Sequence, residues 1–256
     1  MAKMESTRPI GMFDSGVGGV SVLRQARKML PAEQFIFYGD TLHAPYGTKT
    51  REEVLQLSRN VAEKLINMDC KAIVIACNTA TSAAAQTLRQ IYTLPIIAME
   101  PALKPASLLH RDGYVLSLAT PGTIKGEKYQ QLLQKYGEGV VSLPCPGMME
   151  FVEQGETDSP ALHAFLTDLF APYQEKLPEA IVLGCTHYVF LKNAIAKHFP
   201  GVPLIDGNEG TVRQLKHMLM EKDLLAGENE EGGVTLLSSG DPGAVQLMDK
   251  LLNSKE

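Results

Sequence analysis

Short apolar runs alternate with longer amphipathic segments along most of this 256-residue chain. The apolar runs occupy positions 10–13, 35–38, 73–76, 115–119, 181–183, 203–205 and 234–237. Behind the capping-box sequence Thr50-Arg51-Glu52-Glu53, apolar residues recur at three- and four-residue spacing, which is typical of a helix with one buried face. Near-continuous apolar strands between such helices indicate parallel sheets that are covered on both sides. We therefore predict an α/β fold with mostly parallel sheets flanked by helices.

The same pattern predicts two lobes. Two segments are candidate linkers: 95–105, which contains three prolines, and 206–210. We predict two similar lobes, with residues 1–97 and 208–256 forming the first and residues 98–207 the second. The active site would then lie in the cleft between them.

Composition and charge narrow the function classes. Hydrophobic residues make up 45% of the chain and charged residues 21%, as in ordinary soluble globular proteins. The formal net charge of −5 is unlike that of a nucleic-acid-binding protein, so no nucleic-acid partner is expected. No apolar run approaches the roughly 18 residues of a membrane span, and the first residues lack a signal-peptide core. We expect a cytoplasmic protein with no membrane partner, whose four cysteines are reduced because they show no CxxC spacing.

Polar residues follow several predicted strands at the edge where parallel α/β sheets bind ligands. These segments are Asp14-Ser15-Gly16, Gly39-Asp40-Thr41 with Pro45-Tyr46-Gly47, Cys77-Asn78-Thr79, Thr120 with Thr123, and Cys185-Thr186-His187. If the lobes face each other, all of these segments line one cleft. Their small side chains and backbone N–H groups can hold carboxylates, and Lys49 is the only lysine nearby.

Two of the cysteines occupy equivalent places in the pattern. Cys77 and Cys185 each end an apolar run and precede small hydroxyl or amide residues that open a helix. Such a thiol can be a packing residue, a metal ligand, a nucleophile or an acid–base group, since a helix N-terminus favours the thiolate. A metal site is the weakest of these alternatives because His187 alone lies close to either thiol, so no metal is expected. A matched pair also fits proton transfer at opposite faces of one carbon.

Three other titratable residues allow more than one interpretation. Asp14 lies in a glycine-rich segment, 13–19, which superficially resembles a nucleotide loop but matches neither GxGxxG nor a P-loop. With Asp40 after the second strand, a dinucleotide site stays an alternative, and helix capping by Asp14 is another. Glu153 can be a solvated helix residue, and His187 a hydrogen-bonded packing residue.

Taken together, the motifs make the chain resemble the glutamate racemases of the aspartate/glutamate racemase superfamily. The matching segments, in family order, are 9–19, 39–41, 45–47, 76–81, 152–155 and 184–188. The resemblance implies an isomerase without a cofactor, with two similar α/β lobes, an active site between them and usually a homodimer. It also implies that the substrates are L- and D-glutamate and that the product D-glutamate supplies peptidoglycan in a bacterial cytoplasm.

The resemblance also assigns roles to individual residues. Cys77 and Cys185 match the two acid–base cysteines, with Asp14 assisting the first and His187 with Glu153 assisting the second. The residues expected to contact substrate are Asp14, Ser15, Tyr46, Gly47, Asn78, Thr79, Thr123, Thr186 and His187. Glu150 lies three residues before Glu153 and competes with it for the role of auxiliary acid.

Three rival functions stay open at this point. An aspartate racemase would differ only in substrate. A decarboxylase or another isomerase of the superfamily would use one cysteine as a nucleophile, and the second cysteine argues against the decarboxylase. A two-lobe binding protein would need no acid–base thiols, so the matched pair counts against it.

Overall fold

Two parallel β-sheets form the framework of the protein in a computed structural model, which describes residues 6–240 and 242–254. The strands are β1 (Ile10–Asp14), β2 (Gln34–Gly39), β3 (Ala72–Ile75), β4 (Ile96–Ala98), β5 (Val115–Ala119), β6 (Val140–Pro144), β7 (Ala180–Leu183), β8 (Leu204–Asp206) and β9 (Gly233–Ser238). The first sheet has the order β4-β3-β1-β2-β9 and the second the order β6-β5-β7-β8. Every pairing is parallel, which confirms the predicted fold class.

Helices connect these strands and cover both sheets. In the described residues they are α1 (Val20–Met29), α2 (Arg51–Asn67), α3 (Asn78–Ile91), α4 (Leu103–Ser107), α5 (Pro121–Lys125), α6 (Glu127–Tyr136), α7 (Met148–Glu153), α8 (Pro160–Phe170), α9 (Lys192–His198), α10 (Asn208–Glu221) and α11 (Pro242–Asn253). Short 3₁₀ turns cover Thr41–His43, Tyr46–Thr48, Ala171–Tyr173 and Thr186–Leu191. The predicted capping box is present at the start of α2, where Thr50 and Glu53 bond each other's backbone N–H. No helix in the described part of the chain is both long and apolar enough to cross a bilayer.

The central strands are buried along their whole length, which is why their sequences read as continuous apolar runs. One hydrophobic core spans the two sheets and joins Met12 and Phe37 of the first sheet to Leu118 and Leu183 of the second. Two further cores fill the outer faces, one under α2 and α3 and one under α4 and α6. The shared core fixes the two sheets relative to each other.

The candidate linkers, 95–105 and 206–210, contain regular structure and overlap the places where the chain passes from one sheet to the other, and their role as linkers stays a prediction. Residues 96–98 form β4 between two prolines, and the carbonyl of Pro95 accepts a hydrogen bond from the N–H of Ile73 at 2.9 Å. Asp206 ends β8, and α10 begins two residues later. Strand β6 was missed because it is a half-exposed edge strand with a polar residue, Ser142, inside it.

The C-terminal part of the chain returns to the first sheet. Strand β9 pairs in parallel with β2, and α10 and α11 both pack against α1. Strand β8, just before this segment, belongs to the second sheet. The division of the chain into 1–97 with 208–256 and 98–207 stays a prediction.

Candidate active site

The carboxyl ends of the two sheets bring the five predicted acid–base residues together. Asp14 ends β1, Cys77 follows β3, and Cys185 follows β7. The Thr186 hydroxyl donates to Asp14 Oδ2 at 3.2 Å, so the segment after β7 touches the end of β1. The charge of Cys185 also contributes to the raised pKa of Cys77, which places both thiols in one electrostatic environment. Both cysteines are buried, at 6% and 7% exposure.

Cys77 caps the N-terminus of α3. Its Sγ accepts from the N–H of Ala80 at 3.4 Å and lies 3.6 Å from the Ser15 hydroxyl. Burial raises the pKa of this thiol and the neighbouring Asp14 carboxylate raises it further, whereas the Ala80 N–H and the Ser15 hydroxyl lower it only in part. In the absence of a ligand, Cys77 therefore holds its proton.

Cys185 begins a hydrogen-bonded chain of three side chains. Its Sγ lies 3.6 Å from His187 Nδ1, and His187 Nε2 lies 2.6 Å from Glu153 Oε1. Burial lowers the pKa of His187, but the contacts with Cys185 and Glu153 outweigh burial and raise the pKa well above its ordinary value. Burial likewise raises the pKa of Glu153, and the bond and charge of His187 overcome this and lower it. The geometry favours an imidazolium ion beside the second thiol.

Asp14 has one satisfied and one unsatisfied oxygen. Its Oδ2 accepts from the N–H of Gly19 at 2.7 Å and from Thr186, whereas Oδ1 has no partner. Burial raises the pKa of this carboxyl, although the charge of His187 and the Gly19 N–H lower it. Asn78 Oδ1 is also buried without a partner, while its Nδ2 donates to Met99 Sδ at 3.7 Å. Two free buried acceptors beside the thiols fit a ligand that carries hydrogen-bond donors.

The glycines of 16–19 give room to the His187 and Glu153 side chains. A Cβ built on Gly16 would overlap Glu153 Oε1, and one on Gly18 would overlap the His187 ring. The backbone N–H of Val17 donates to the same Glu153 oxygen at 2.8 Å. The sequence pattern indicated only a turn here, and the reason for the glycines is the close approach of the second lobe.

The Tyr46–Gly47 segment is held in place by Asp40. The Tyr46 hydroxyl donates to Asp40 Oδ2 at 2.6 Å, and His43 Nδ1 lies 2.9 Å from Asp40 Oδ1. Burial and this hydrogen bond raise the pKa of Tyr46, which stays a neutral phenol. Both oxygens of Asp40 are engaged in hydrogen bonds, so the structure gives no support to a ribose-binding role for this residue. The alternative of a dinucleotide site therefore loses one of the two acidic residues on which it was based.

Three threonines join the lobes beside the site. Thr79 Oγ1 lies 3.2 Å from Thr120 Oγ1 and 3.1 Å from Thr123 Oγ1, and the latter two lie 3.0 Å apart. Thr120 also caps α5 through the N–H of Thr123. The contact between Thr79 on the first lobe and Thr120 on the second was not predicted, because no sequence pattern indicates which loops meet across a cleft.

The two candidate auxiliary acids differ clearly in position. Glu153 contacts His187, whereas Glu150, one turn earlier on α7, is exposed. Within the ranges 6–240 and 242–254, no cluster of three or more histidine, cysteine or acidic side chains has metal-binding geometry. All four cysteines are buried free thiols. Of the two acids, Glu153 is the one whose carboxylate bonds the histidine beside Cys185.

The Glu153–His187 pair is expected to give a pH-dependent contribution to stability. In Glu153→Gln, loss of the charged hydrogen bond should lower the free energy of unfolding by roughly 1.5–3 kcal/mol. Because the Glu153 pKa lies below 4.5, its contribution holds above pH 4.5 and fades as the pH falls through the folded value. Because the His187 pKa lies above 6.5, its contribution is complete below pH 6.5 and fades as the pH rises through the folded value.

Urea unfolding of the wild type and Glu153→Gln at acid, near-neutral and alkaline pH measures this contribution. The gap between the two proteins should be largest between pH 4.5 and pH 6.5 and smaller on either side. A gap that is the same at every pH would contradict the ion pair.

Backbone contact between Gly47 and Gly122 closes the cleft, and a side chain there should hold it open. A Cβ on Gly122 would lie 2.7 Å from the Gly47 carbonyl oxygen and 3.1 Å from its Cα, neither of which can rotate away. Gly122→Ala should therefore lower turnover by about 10–100-fold through misplaced groups, with little change in unfolding free energy. Gly210→Ala on α10 is the matched control, since its Cβ would meet nothing within 4 Å. Turnover of Gly122→Ala within threefold of the wild type would show that the contact is unnecessary.

Comparison with known proteins identifies the family. A sequence model of the family described as Asp/Glu/Hydantoin racemase matches residues 11–215. The chain is 48% identical over 253 residues to the glutamate racemase of Clostridium perfringens strain ATCC 13124, covering 96% of this chain and 97% of that protein.

Solved structures show the same architecture. The crystal structure of Francisella tularensis glutamate racemase with D-glutamate has a TM-score of 0.83 and 29% identity, covering 98% of this chain and 95% of that one. The Escherichia coli glutamate racemase, solved with L-glutamate and the activator UDP-MurNAc-ala, has a TM-score of 0.84 and 28% identity, covering 95% and 94%. This chain belongs to the Asp/Glu/Hydantoin racemase family and is an isomerase.

Proposed function

We propose that the protein interconverts L- and D-glutamate by moving the α-proton between two cysteines, without a cofactor. The observation that carries the proposal is the pair of buried thiols, Cys77 and Cys185, at the ends of strands from opposite sheets and linked through Thr186 and Asp14. Racemisation needs one group to remove a proton and another to supply one from the opposite side. Support for the substrate comes from the relatives, which are named as glutamate racemases and include structures solved with each enantiomer.

The two thiols have different partners, which suits a reaction in which one thiol gives a proton and the other receives one. Cys77 holds its proton beside Asp14, as its raised pKa indicates. Cys185 lies beside the His187 imidazolium instead of a carboxylate. In one direction the Cys185 thiolate takes the α-proton of glutamate and the Cys77 thiol gives a proton to the opposite face of the carbanion. The reverse reaction starts from the opposite protonation states.

The site offers partners for both ends of an amino acid. Asp14 Oδ1 and Asn78 Oδ1 are unpaired acceptors that can receive the N–H groups of an α-ammonium. The hydroxyls of Ser15, Thr79 and Thr123, with the N–H groups of the Tyr46–Gly47 turn, can donate to carboxylates. Preorganised donors in a closed cleft also stabilise the negative charge that develops on the substrate as the α-proton leaves.

Circular dichroism of L-glutamate incubated with the purified protein, with no cofactor added, tests the reaction. We expect the signal to decay to zero as the enantiomers equalise, and D-glutamate to approach the same end point from the other side. L-aspartate in parallel distinguishes the closest rival, and we expect it to turn over far more slowly. A stable signal from glutamate at high protein concentration would exclude the proposed function. Preferential turnover of aspartate would show that aspartate, and not glutamate, is the substrate.

The biological setting follows from the same proposal. A glutamate racemase supplies D-glutamate for peptidoglycan, and such an enzyme works in the bacterial cytoplasm, where its substrate is made. We also propose a homodimer, as the family resemblance implies. Sedimentation velocity of the purified protein measures the dimer directly, and a monomer over the whole micromolar range would overturn it.

A further inference from the structure

A cavity of about 540 Å³ opens beside the candidate active site, between the two lobes. Gly47 and Thr79, which are both expected to contact substrate, lie in its wall. The rest of the wall comes from residues 48–54 and α3 on the first lobe and from α5 with the start of α6 on the second. The cavity therefore lies at the line where the lobes meet, beside two residues that are expected to contact substrate.

Three cations surround this opening, and we call them the basic rim: Lys49, Arg51 and Lys125. Two belong to the first lobe and the third to the second, so the rim spans the cleft. Glu127 is the one acid in the cavity wall. Among the described residues, none of the three cations forms a salt bridge with a carboxylate, so their charge is not neutralised by a direct partner.

The interior of the site, unlike the basic rim, contains acidic side chains. The charges that shift the pKa values of Cys77, Asp14, Glu153 and His187 come from this same cluster and from Cys185, and neither a lysine nor an arginine is among them. The chain as a whole carries a formal charge of −5. An anionic amino acid therefore approaches a protein that repels it on average, and the basic rim supplies three cations beside Gly47 and Thr79.

A purely structural role explains the rim poorly. Arg51 occupies the first position of α2, where a cation opposes the helix dipole instead of complementing it. The Thr50 N–H and hydroxyl lower the pKa of Glu53 in the capping box, and the charge of Lys49 adds only a smaller effect. Lys125 lies on the other lobe, and neither explanation applies to it.

We propose that the basic rim attracts the dicarboxylate substrate into the cleft and sets its affinity electrostatically, without taking part in proton transfer. The inference rests on the proposed function, since it needs an anionic substrate. Charges about 8–10 Å from a ligand change its binding by about twofold each in water-like surroundings, and added salt screens them. The three together should therefore change KM by about 3–8-fold at low salt and leave kcat unchanged.

The test compares Lys49→Gln/Arg51→Gln/Lys125→Gln with two matched triple variants. Lys49→Arg/Arg51→Lys/Lys125→Arg keeps the charge of the rim. Lys28→Gln/Lys222→Gln/Lys250→Gln removes the same net charge from exposed lysines that line none of the cavities. For each protein, kcat and KM for both enantiomers of glutamate are measured at about 20 mM and about 500 mM NaCl, with a melting temperature as the check on folding.

We expect the rim-neutral variant alone to show a 3–8-fold higher KM at low salt, falling to within twofold of the wild type at high salt. An unchanged KM at low salt would overturn the proposal, as would an increase that persists at high salt or an equal increase in the distant triple variant. Failure of the wild type to racemise glutamate would instead overturn the proposed function, so the two failures are distinguishable.

Discussion

Replacing either Cys77 or Cys185 with serine is expected to lower racemisation of both enantiomers by roughly 10²–10⁴-fold, the usual share of a positioned acid–base group. A serine hydroxyl has nearly the size of the thiol but is a far weaker acid, so it cannot exchange the proton. The fold should survive, because each cysteine is one buried side chain at the end of a strand whose core packing is unchanged.

A substrate analogue with a leaving group on the β-carbon separates the roles of the two thiols. Elimination from such an analogue needs one proton abstraction and no reprotonation, so each single variant should keep elimination from one enantiomer and lose it from the other. Cys70→Ser is the matched control, since Cys70 is a buried thiol that precedes β3, at the opposite end from Cys77. Full racemase activity in either single variant, or loss of elimination from both enantiomers in each, would refute the two-thiol mechanism.

Breaking the buried ion pair between Lys71 and Glu33 is expected to be the largest stability effect in the molecule. Lys71 Nζ lies 2.5 Å from Glu33 Oε2, with side chains 0% and 2% exposed, and it also donates to the carbonyl of Ser6. Glu33 Oε1 accepts from the N–H of Ala226 at 2.9 Å. The pair thus ties the segment before β9 to the amino ends of the first sheet.

Lys71→Met leaves a buried carboxylate without its cation and should cost about 3–5 kcal/mol of unfolding free energy. Burial lowers the pKa of Lys71, and the contact with Glu33 raises it by less. Forming the pair therefore costs solvation free energy of the two charged groups. Removing both charges in Lys71→Met/Glu33→Gln should therefore recover part of the loss. Urea unfolding at neutral pH measures Lys71→Met, Glu33→Gln and the double variant, and a double variant that loses the sum of the two single effects would contradict the coupling. Racemisation by the folded Lys71→Met protein should stay near the wild-type rate.

Much of this fold could be predicted because its central strands are buried on both faces. Burial of that kind forces continuous apolar sequence, so β1, β3, β5 and β7 were recognisable without any structure. The elements that were missed lie at sheet edges. Strands β4 and β6 are short or half exposed, and a half-exposed edge strand does not need a continuous apolar sequence.

The local sequence of a strand does not show which distant strand it pairs with. Nothing in the apolar run of β9 indicates that it lies beside β2, because any parallel strand of that length could do so. The same limit applies to the site. Glycine at 16 and 18 is consistent with a turn, and only the position of His187 and Glu153 reveals why a larger residue is excluded.

The candidate site itself was visible for a different reason. Strand ends are positions where a chain of this class presents polar residues, and the matched placement of Cys77 and Cys185 stood out because it occurs twice. The structure brings Asp14, Glu153 and His187 to these cysteines, and Glu153 is distinguished from Glu150 by its contact with His187. Their catalytic roles stay predictions until the variants are measured.

The central claim is that one thiol removes the α-proton while the other supplies a different one, and the fate of hydrogen in deuterated water tests this most directly. L-Glutamate is incubated with the protein in D₂O, and both enantiomers are separated and examined by NMR at low conversion. Two opposed thiols predict deuterium at Cα of nearly all the D-glutamate formed and almost none in the remaining L-glutamate. Equal deuterium in the two enantiomers, or D-glutamate that keeps its original proton, would mean that a single group works on both faces.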